Sequence, residues 1–412
     1  METKYKEQMI KKLMDKYSRP FYFYDENIIA RQIEILLKNF QPFEFLYSIK
    51  ANPFAPIVNF IAFKGLGADT ASAEEVIIAR KAGLTSNRIF YSSPGKIPDD
   101  LVKTFGKSTI IADSYQELTL INELARQRKQ IIKIGLRINP DYTIGDEKGT
   151  SSKFGVDEET LETKKKYLKN LSNIKITGIH VHLRSQVLDP IHLYQYYERI
   201  FELALFCKEA LGWNLEFINF GGGLGIVYSL SKDKPLNIKQ LGIASIKLFQ
   251  RFIDKLDVRL LIETGRFAIC EAGHYVTHIV DIKESRGEKY YIVENALNGF
   301  SRPAIANLIS AYAYPESNLP GSEPLFTAKD AFEFSILNKK CSPLEKVCIV
   351  GNLCTATDIM AKDIMLPKAD IDDILVVSKA GSYAYSLSPL LFASQPLPLQ
   401  FYLKTSGEIC SA

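Results

Sequence analysis

The sequence predicts an α/β protein, a parallel (β/α)8 barrel joined to a smaller, mostly β domain. Three observations carry this. From about residue 28 to 280, short β-branched or aromatic runs alternate with amphipathic helical stretches, the order expected of a barrel. Past about residue 280, strand-like runs follow one another across turns with few helices between them. A length of 412 residues with 46% hydrophobic content is enough to fill one large core and a smaller one.

In chain order, the barrel strands are expected at 45–49, 66–70, 89–92, 109–112, 132–138, 174–182, 215–220 and 258–262. Stretches such as 72–83 and 114–127 have helix-like spacing with Glu and Lys on the outer face. In the second domain, "HYVTHIVDIKES", "KYYIVENA", "FEFSILN", "KVCIVG" and "DILVVSKAG" read as strands of an antiparallel or mixed sheet. The opening "RPFYFYDE" has the same character and is a candidate to join them. The expected division is therefore a barrel over 28–280 and a discontinuous β domain of 1–27 and 281–412.

A net charge of +4 over 98 charged residues, with no basic block, gives no reason to expect nucleic acid. No apolar run approaches a membrane span, and the charged N-terminus lacks a signal peptide's apolar stretch, so a cytoplasmic protein is expected. The six cysteines (207, 270, 341, 348, 354 and 410) form no CxxC pair, which argues against structural zinc and a disulfide framework. Most are expected to be buried and inert.

The candidate chemistry sits at strand ends. In "FLYSIKANP", Lys50 closes an apolar strand; it is either a lysine reaching solvent or a carboxylate, or an amine desolvated for Schiff-base chemistry. "NFGGGLGI" offers Gly221, Gly222 and Gly223, either a sharp turn or a backbone cradle for phosphate. "IETGRFAICEAG" places Glu263 and Arg266 past a strand, as an ordinary ion pair or as partners of a cofactor's ring nitrogen and phosphate. "GIHVHLRSQ" sets His180 and His182 on one face of a strand; with no third ligand marked, a ring stacked on a planar cofactor, with Ser185 on its phosphate, fits better than a metal. "GNLCTATDIMAKD" holds Cys354 in a polar turn followed by a helical turn, as a small hydrophobe or a proton donor. Tyr383 in "AGSYAYSLS" is packing or a phosphate cap.

Taken together and in this order, the segments from "YSIKANP" to "GSYAYS" resemble the fold-type III pyridoxal-phosphate decarboxylases. That group includes diaminopimelate, ornithine and arginine decarboxylases and shares its barrel with alanine racemase. The resemblance implies a decarboxylase using pyridoxal 5'-phosphate. It puts Lys50 at the Schiff-base position and makes Asp69 and Arg137 the pair supporting the barrel mouth. His182 becomes the ring-stacking imidazole, and Ser185, Gly221, Gly222, Gly223, Arg266 and Tyr383 the phosphate contacts. Glu263 is implied as partner of the pyridine nitrogen. Cys354 and Asp358 match the catalytic turn that the family inserts across a homodimer interface.

Four departures bear on the substrate. Arg184 replaces the glycine of the family's "HIGSQ", and Thr264 the proline of "EPGR". Thr355 stands where diaminopimelate enzymes carry a carboxylate directly after the cysteine. Ala306 replaces the tyrosine of "RPALY", although Arg302 is kept. With that charge and bulk lost, the substrate's distal end is expected to be larger and not cationic, with Arg302, Thr355 and Asp358 as its contacts. The chain is similar to the decarboxylase domain of microcin C maturation, which acts on a peptidyl nucleotide, and less closely to decarboxylases of carrier-protein or siderophore intermediates. Diaminopimelate, lysine or ornithine decarboxylation, a racemase and a non-catalytic cofactor carrier are the alternatives.

Overall fold

The computed structural model describes residues 2–146, 148–228, 233–312 and 331–411. The chain divides into two compact units, one of Arg31–Ile226 with Pro235–Ala268, the other of Met1–Ala30, Val227–Lys234 and Ile269–Ala412.

The first unit is a closed barrel of eight parallel strands: β1 (Glu44–Ser48), β2 (Gly67–Thr70), β3 (Ile89–Tyr91), β4 (Thr109–Ala112), β5 (Ile132–Asn139), β6 (Ile174–His180), β7 (Phe217–Asn219) and β8 (Arg259–Thr264). Each pairs with its neighbours in chain order, and β8 returns to β1. Every strand expected from the sequence is present, except that β6 ends at His180 and His182 lies in the loop beyond it. The helix over 72–83 is Ala73–Lys81, started by Ser72 accepting from Glu75 N at 3.1 Å; that over 114–127 is Tyr115–Gln127, started by Ser114 accepting from Glu117 N at 3.1 Å. In both, a Ser caps an orphan N–H and acidic residues meet the positive helix end.

Side-chain size fills the barrel interior. Leu46, Phe90, Ile111, Phe217 and Leu261 form its buried cluster, with the Phe90 and Phe217 rings edge to face at 5.2 Å. The Phe217 ring takes the space that side chains on β5 and β6 would occupy: a Cβ on Gly178 would collide with it, and one on Gly135 would lie 2.9 Å from its tip.

The second unit is a mixed sheet in the order Ile359–Pro367, Leu344–Gly351, Glu288–Val293, Gly273–Ser285, Phe21–Asp25, Leu399–Leu403, Ile409–Ser411. Ile374–Val377 also pairs with Gly273–Ser285 and carries Phe334–Ile336 on its far side. The opening strand does join it, antiparallel to Gly273–Ser285 and parallel to Leu399–Leu403. The division falls at 268/269, not 280/281, because Gly273–Ser285 makes all its ladders within this sheet. The helical turn expected after Cys354 is instead strand Ile359–Pro367, held antiparallel to Leu344–Gly351; the available ladder overrides the local pattern. Helix Glu2–Tyr17 buries Ile10, Leu13 and Met14 against Phe21, Phe23 and Val276.

Gly178→Ala is expected to overpack the barrel and lower stability by about 1–3 kcal/mol. Urea denaturation checks this, and Phe217→Leu in the same chain should recover part of the loss.

Candidate active site

The barrel unit gathers its polar side chains at the C-terminal ends of its strands. Past β1 the chain turns in a short 3-10 segment, Ile49–Ala51, that buries Ile49 and Ala51 and leaves the Lys50 side chain 44% exposed. Lys50 Nζ lies 3.3 Å from Asp69 Oδ2 on β2, and Asp69 Oδ1 accepts from Ser92 Oγ at 2.5 Å. The carboxylate is thus fixed before it meets the amine.

Asp69 and Arg137, expected to support the mouth as a pair, each take a different partner. Arg137 on β5 is buried with Asp113 at 3.7 Å, its guanidinium lies 4.2 Å over the Phe154 ring, and it donates to the His182 carbonyl at 3.5 Å. Burial lowers the Arg137 pKa and raises that of Asp113, the direction each charge takes when water is removed.

Glu263 stands at the end of β8, 4% exposed. Its Oε1 accepts from Asn219 Nδ2 at 2.9 Å and lies 3.1 Å from His180 Nε2. Burial alone would push this carboxyl up, but the fields of His180 and Lys50 outweigh it and hold the group well below the usual range. It is a buried, ionised acceptor. Asn219 Oδ1 in turn accepts from Gly221 N at 2.9 Å, tying the carboxylate to the glycine loop. Asn219 and His180 were not assigned roles from sequence; their signal was position, the last residues of β7 and β6.

His182 is half-buried, and loss of water around its ring lowers its pKa to about 3. Gly222 N donates to His182 Nδ1 at 3.0 Å, so the neutral ring carries its proton on Nε2, which lies 3.5 Å from Ser185 Oγ. Gly221 has φ +63, and a Cβ there would strike the Val181 carbonyl, so a side chain is excluded on two counts. Tyr196 Oη donates to Val181 O and Phe220 O, each at 2.9 Å, bracing the loops after β6 and β7 together. Arg266 is buried at the start of helix Arg266–Ile269. Beneath the mouth lies a further buried group. Lys96 Nζ donates to Glu117 Oε1, Ser93 O and Ile111 O, each at 2.6 Å, and neither charge reaches solvent by more than 5%.

In the β unit, Cys354 is exposed on the turn between Leu344–Gly351 and Ile359–Pro367. Asp358, expected to touch substrate, is 3% exposed: Oδ1 accepts from Leu297 N at 2.7 Å and Oδ2 from Leu353 N at 2.9 Å. Two buried N–H groups occupy its oxygens, so it positions the cysteine turn. Thr355 Oγ1 and Thr357 Oγ1 are 3.0 Å apart. Arg302 opens helix Ser301–Tyr312, 5.9 Å from the ring centroid of Tyr383, whose φ of 51 is the left-handed region that bulky residues avoid. Ala306 is buried on the same helix. Of the six cysteines, only Cys207, Cys270 and Cys348 are buried.

Among the described residues no cluster of three or more His, Cys, Asp or Glu gathers as metal ligands, and no helix is long and apolar enough to cross a membrane. The barrel set is an amine at the rim, an ionised carboxylate in depth, a neutral half-buried imidazole, and a glycine cradle from which Cβ is excluded. It fits a planar phosphorylated cofactor with a basic ring nitrogen.

Residues 26–270 match the pyridoxal-binding domain of the pyridoxal-dependent decarboxylases. The chain belongs to that family. Similar relatives include the L-glutamyl-(BtrI acyl-carrier protein) decarboxylase of Niallia circulans, 30% identical over 405 residues, covering 96% of this chain and 91% of the relative. Another is the diaminopimelate decarboxylase of Aquifex aeolicus, 28% identical over 391 residues, covering 92% and 85%. Among solved structures, the diaminopimelate decarboxylase of M. jannaschii in complex with L-lysine superposes with a TM-score of 0.83 at 25% identity, covering 97% of this chain and 90% of that one. This family member is an amino-acid decarboxylase, a carboxy-lyase whose cofactor is pyridoxal phosphate.

The pKa of His182 is lowered from an ordinary 6.5 to about 3, so between those values the unfolded chain binds a proton that the folded chain does not. Stability should therefore fall as pH drops from 6.5 towards 3. In His182→Asn that slope should be shallower by up to one proton, about 1.4 kcal/mol per pH unit, measured by denaturant titration across the window.

Proposed function

We propose that this decarboxylase removes the α-carboxylate of an amino-acid group attached by its distal end to a larger carrier. The carrier is an acyl-carrier protein or a peptidyl nucleotide of the microcin C type. One observation bears most of the weight. On the turn 352–358 the single carboxylate, Asp358, is buried and occupied by two backbone N–H groups, and Thr355 follows the cysteine. The turn therefore offers no carboxylate to a cationic distal end. The Niallia circulans relative, which by its name acts on a glutamyl carrier protein, supports a tethered substrate. The diaminopimelate decarboxylases among the relatives support the second reading, a free diamino acid.

In this reading Lys50 is the residue that would hold the cofactor, with Asp69 fixing its amine. Bound there, pyridoxal phosphate supplies the electron sink for the pair left when carbon dioxide departs. His180 and Asn219 keep Glu263 ionised and aimed, so that it would favour a proton on the cofactor's ring nitrogen, and His182 would cover the ring. Ser185, Gly221, Gly222, Gly223, Arg266 and Tyr383 take the phosphate, and Arg137 secures the His182 loop. Cys354 returns a proton to the α-carbon. Arg302 and Thr355 meet the substrate. The working unit in this proposal is a homodimer in which Cys354 of one chain serves Lys50 of the other.

Carbon dioxide release from a glutamyl thioester on an acyl-carrier protein, or from a carboxy-aminopropyl nucleotide, should exceed that from free diaminopimelate, lysine or ornithine by at least ~100-fold in kcat/KM. Free diamino acids turning over at ordinary rates of about 1–1000 per second would sink the tethered-substrate reading.

Lys50→Ala and Cys354→Ala chains, each inactive alone, should recover about one quarter of wild-type activity after co-refolding, since half of randomly paired dimers hold one intact site of two. No recovery, with subunit exchange shown by a tag, rejects shared sites.

A further inference from the structure

The loop after β6 is more firmly held than a barrel-mouth loop needs to be for packing. Val187 N donates to Gly223 O at 2.8 Å and Gly225 N to Val187 O at 3.1 Å, so the loop is paired to the glycine segment by backbone. Gln186, at φ 62, adds its side chain, whose Oε1 accepts from Ile226 N at 3.1 Å while its amide donates to Ile226 O. His182 and Ser185 face each other within this segment. Between them stands Arg184, exposed, with its carbonyl packed 3.3 Å from where a Gly223 Cβ would be. Its backbone is therefore fixed while its guanidinium is presented to solvent at the mouth of the barrel.

Arg184 makes no hydrogen bond or ion pair with any described residue. Asp189, further along the same loop, accepts from Ile191 N at 2.8 Å and lies 3.7 Å from His192, Asp157 accepts from Asn139 Nδ2 at 2.8 Å, and Asp113 faces Arg137. A second exposed cation is linked to this loop through Phe154 and Arg137. Lys153 Nζ lies 4.9 Å from the centroid of the Phe154 ring, the ring under Arg137, and Arg137 reaches the His182 carbonyl two residues before Arg184.

We propose that Arg184, assisted by Lys153, is a specificity residue that recognises a phosphate ester on the carrier of the substrate. The proposal rests on the tethered-substrate reading and names the group on the carrier that is read. Both carriers share that chemistry: an acyl-carrier protein presents its acyl group on a phosphopantetheine arm, and a nucleotide carries its own phosphate. A guanidinium offers a planar fork to two phosphate oxygens, and a loop already fixed loses little freedom on binding. An uncharged or cationic distal group gains nothing from it.

The test is calorimetric titration of the pyridoxal-phosphate-loaded full chain with two matched pairs of probes, 4'-phosphopantetheine against pantetheine and adenosine 5'-monophosphate against adenosine. Wild type should bind the phosphorylated member of one pair at least about tenfold more tightly, with the advantage shrinking as salt rises. The ratio should fall to near one in Arg184→Gly, be partly kept in Arg184→Lys and drop modestly in Lys153→Ala, with the cofactor's absorption band unchanged throughout. Which pair shows the preference tells a carrier-protein arm from a nucleotide. Equal binding of both members of both pairs, or a ratio untouched by Arg184→Gly, overturns the proposal. So does loss of the cofactor band in Arg184→Gly, since the residue would then serve the cofactor. A phosphate preference that depends on Arg184 in an enzyme that decarboxylates only free diamino acids would reject the tethered-substrate reading while upholding phosphate recognition at Arg184.

Discussion

The barrel unit is organised around one buried carboxylate kept ionised. Taking Glu263 out of water is costly on its own, and the structure offsets this with a donor from Asn219, the His180 ring and the field of Lys50. These partners come from the ends of β6, β7 and β1, so a single charge fixes how several strands must end. Asn219 extends the constraint to Gly221, and the glycine loop extends it to His182 through Gly222. Removing the carboxylate would leave an amide, an imidazole and a loop without their common reference point.

The β unit answers a related need with a different device. Asp358 is also buried, but among the described residues no cation pairs with it; backbone N–H groups of Leu297 and Leu353 satisfy it. Gly351 is the matching residue, since a Cβ there would strike the Asp358 carboxylate. One acid therefore sets the path of the turn that exposes Cys354. The strained backbone at Tyr383 lies on the loop that follows Gly381, whose own backbone is packed against Ile269 and Gly273 too closely to admit a side chain. Close backbone packing of this kind can hold a residue in a conformation it would otherwise leave.

The sequence was most informative where local pattern and tertiary role agree. The eight barrel strands are short apolar runs flanked by helices, and Lys50, His182 and Glu263 are polar residues placed just past such runs, an arrangement that burial alone does not favour. It was less informative where partners are distant in sequence. Nothing near Asp69 says that it meets Lys50 and Ser92, and nothing near Arg137 points to Asp113. Ile359–Pro367 has an apolar spacing that serves either element, and only its partner strand decides. Asp358 is assigned by its match to the family's cysteine turn; its burial between two N–H groups is a three-dimensional fact.

Lys96 and Glu117 illustrate a constraint of another kind. Both are sealed from solvent, and Lys96 also closes the carbonyls of Ser93 and Ile111 at the ends of β3 and β4. Losing either one strands a charge and, for Lys96, two carbonyls as well. A change at one position alone therefore carries the cost of a stranded charge, which a matched change of both to well-packed apolar residues avoids.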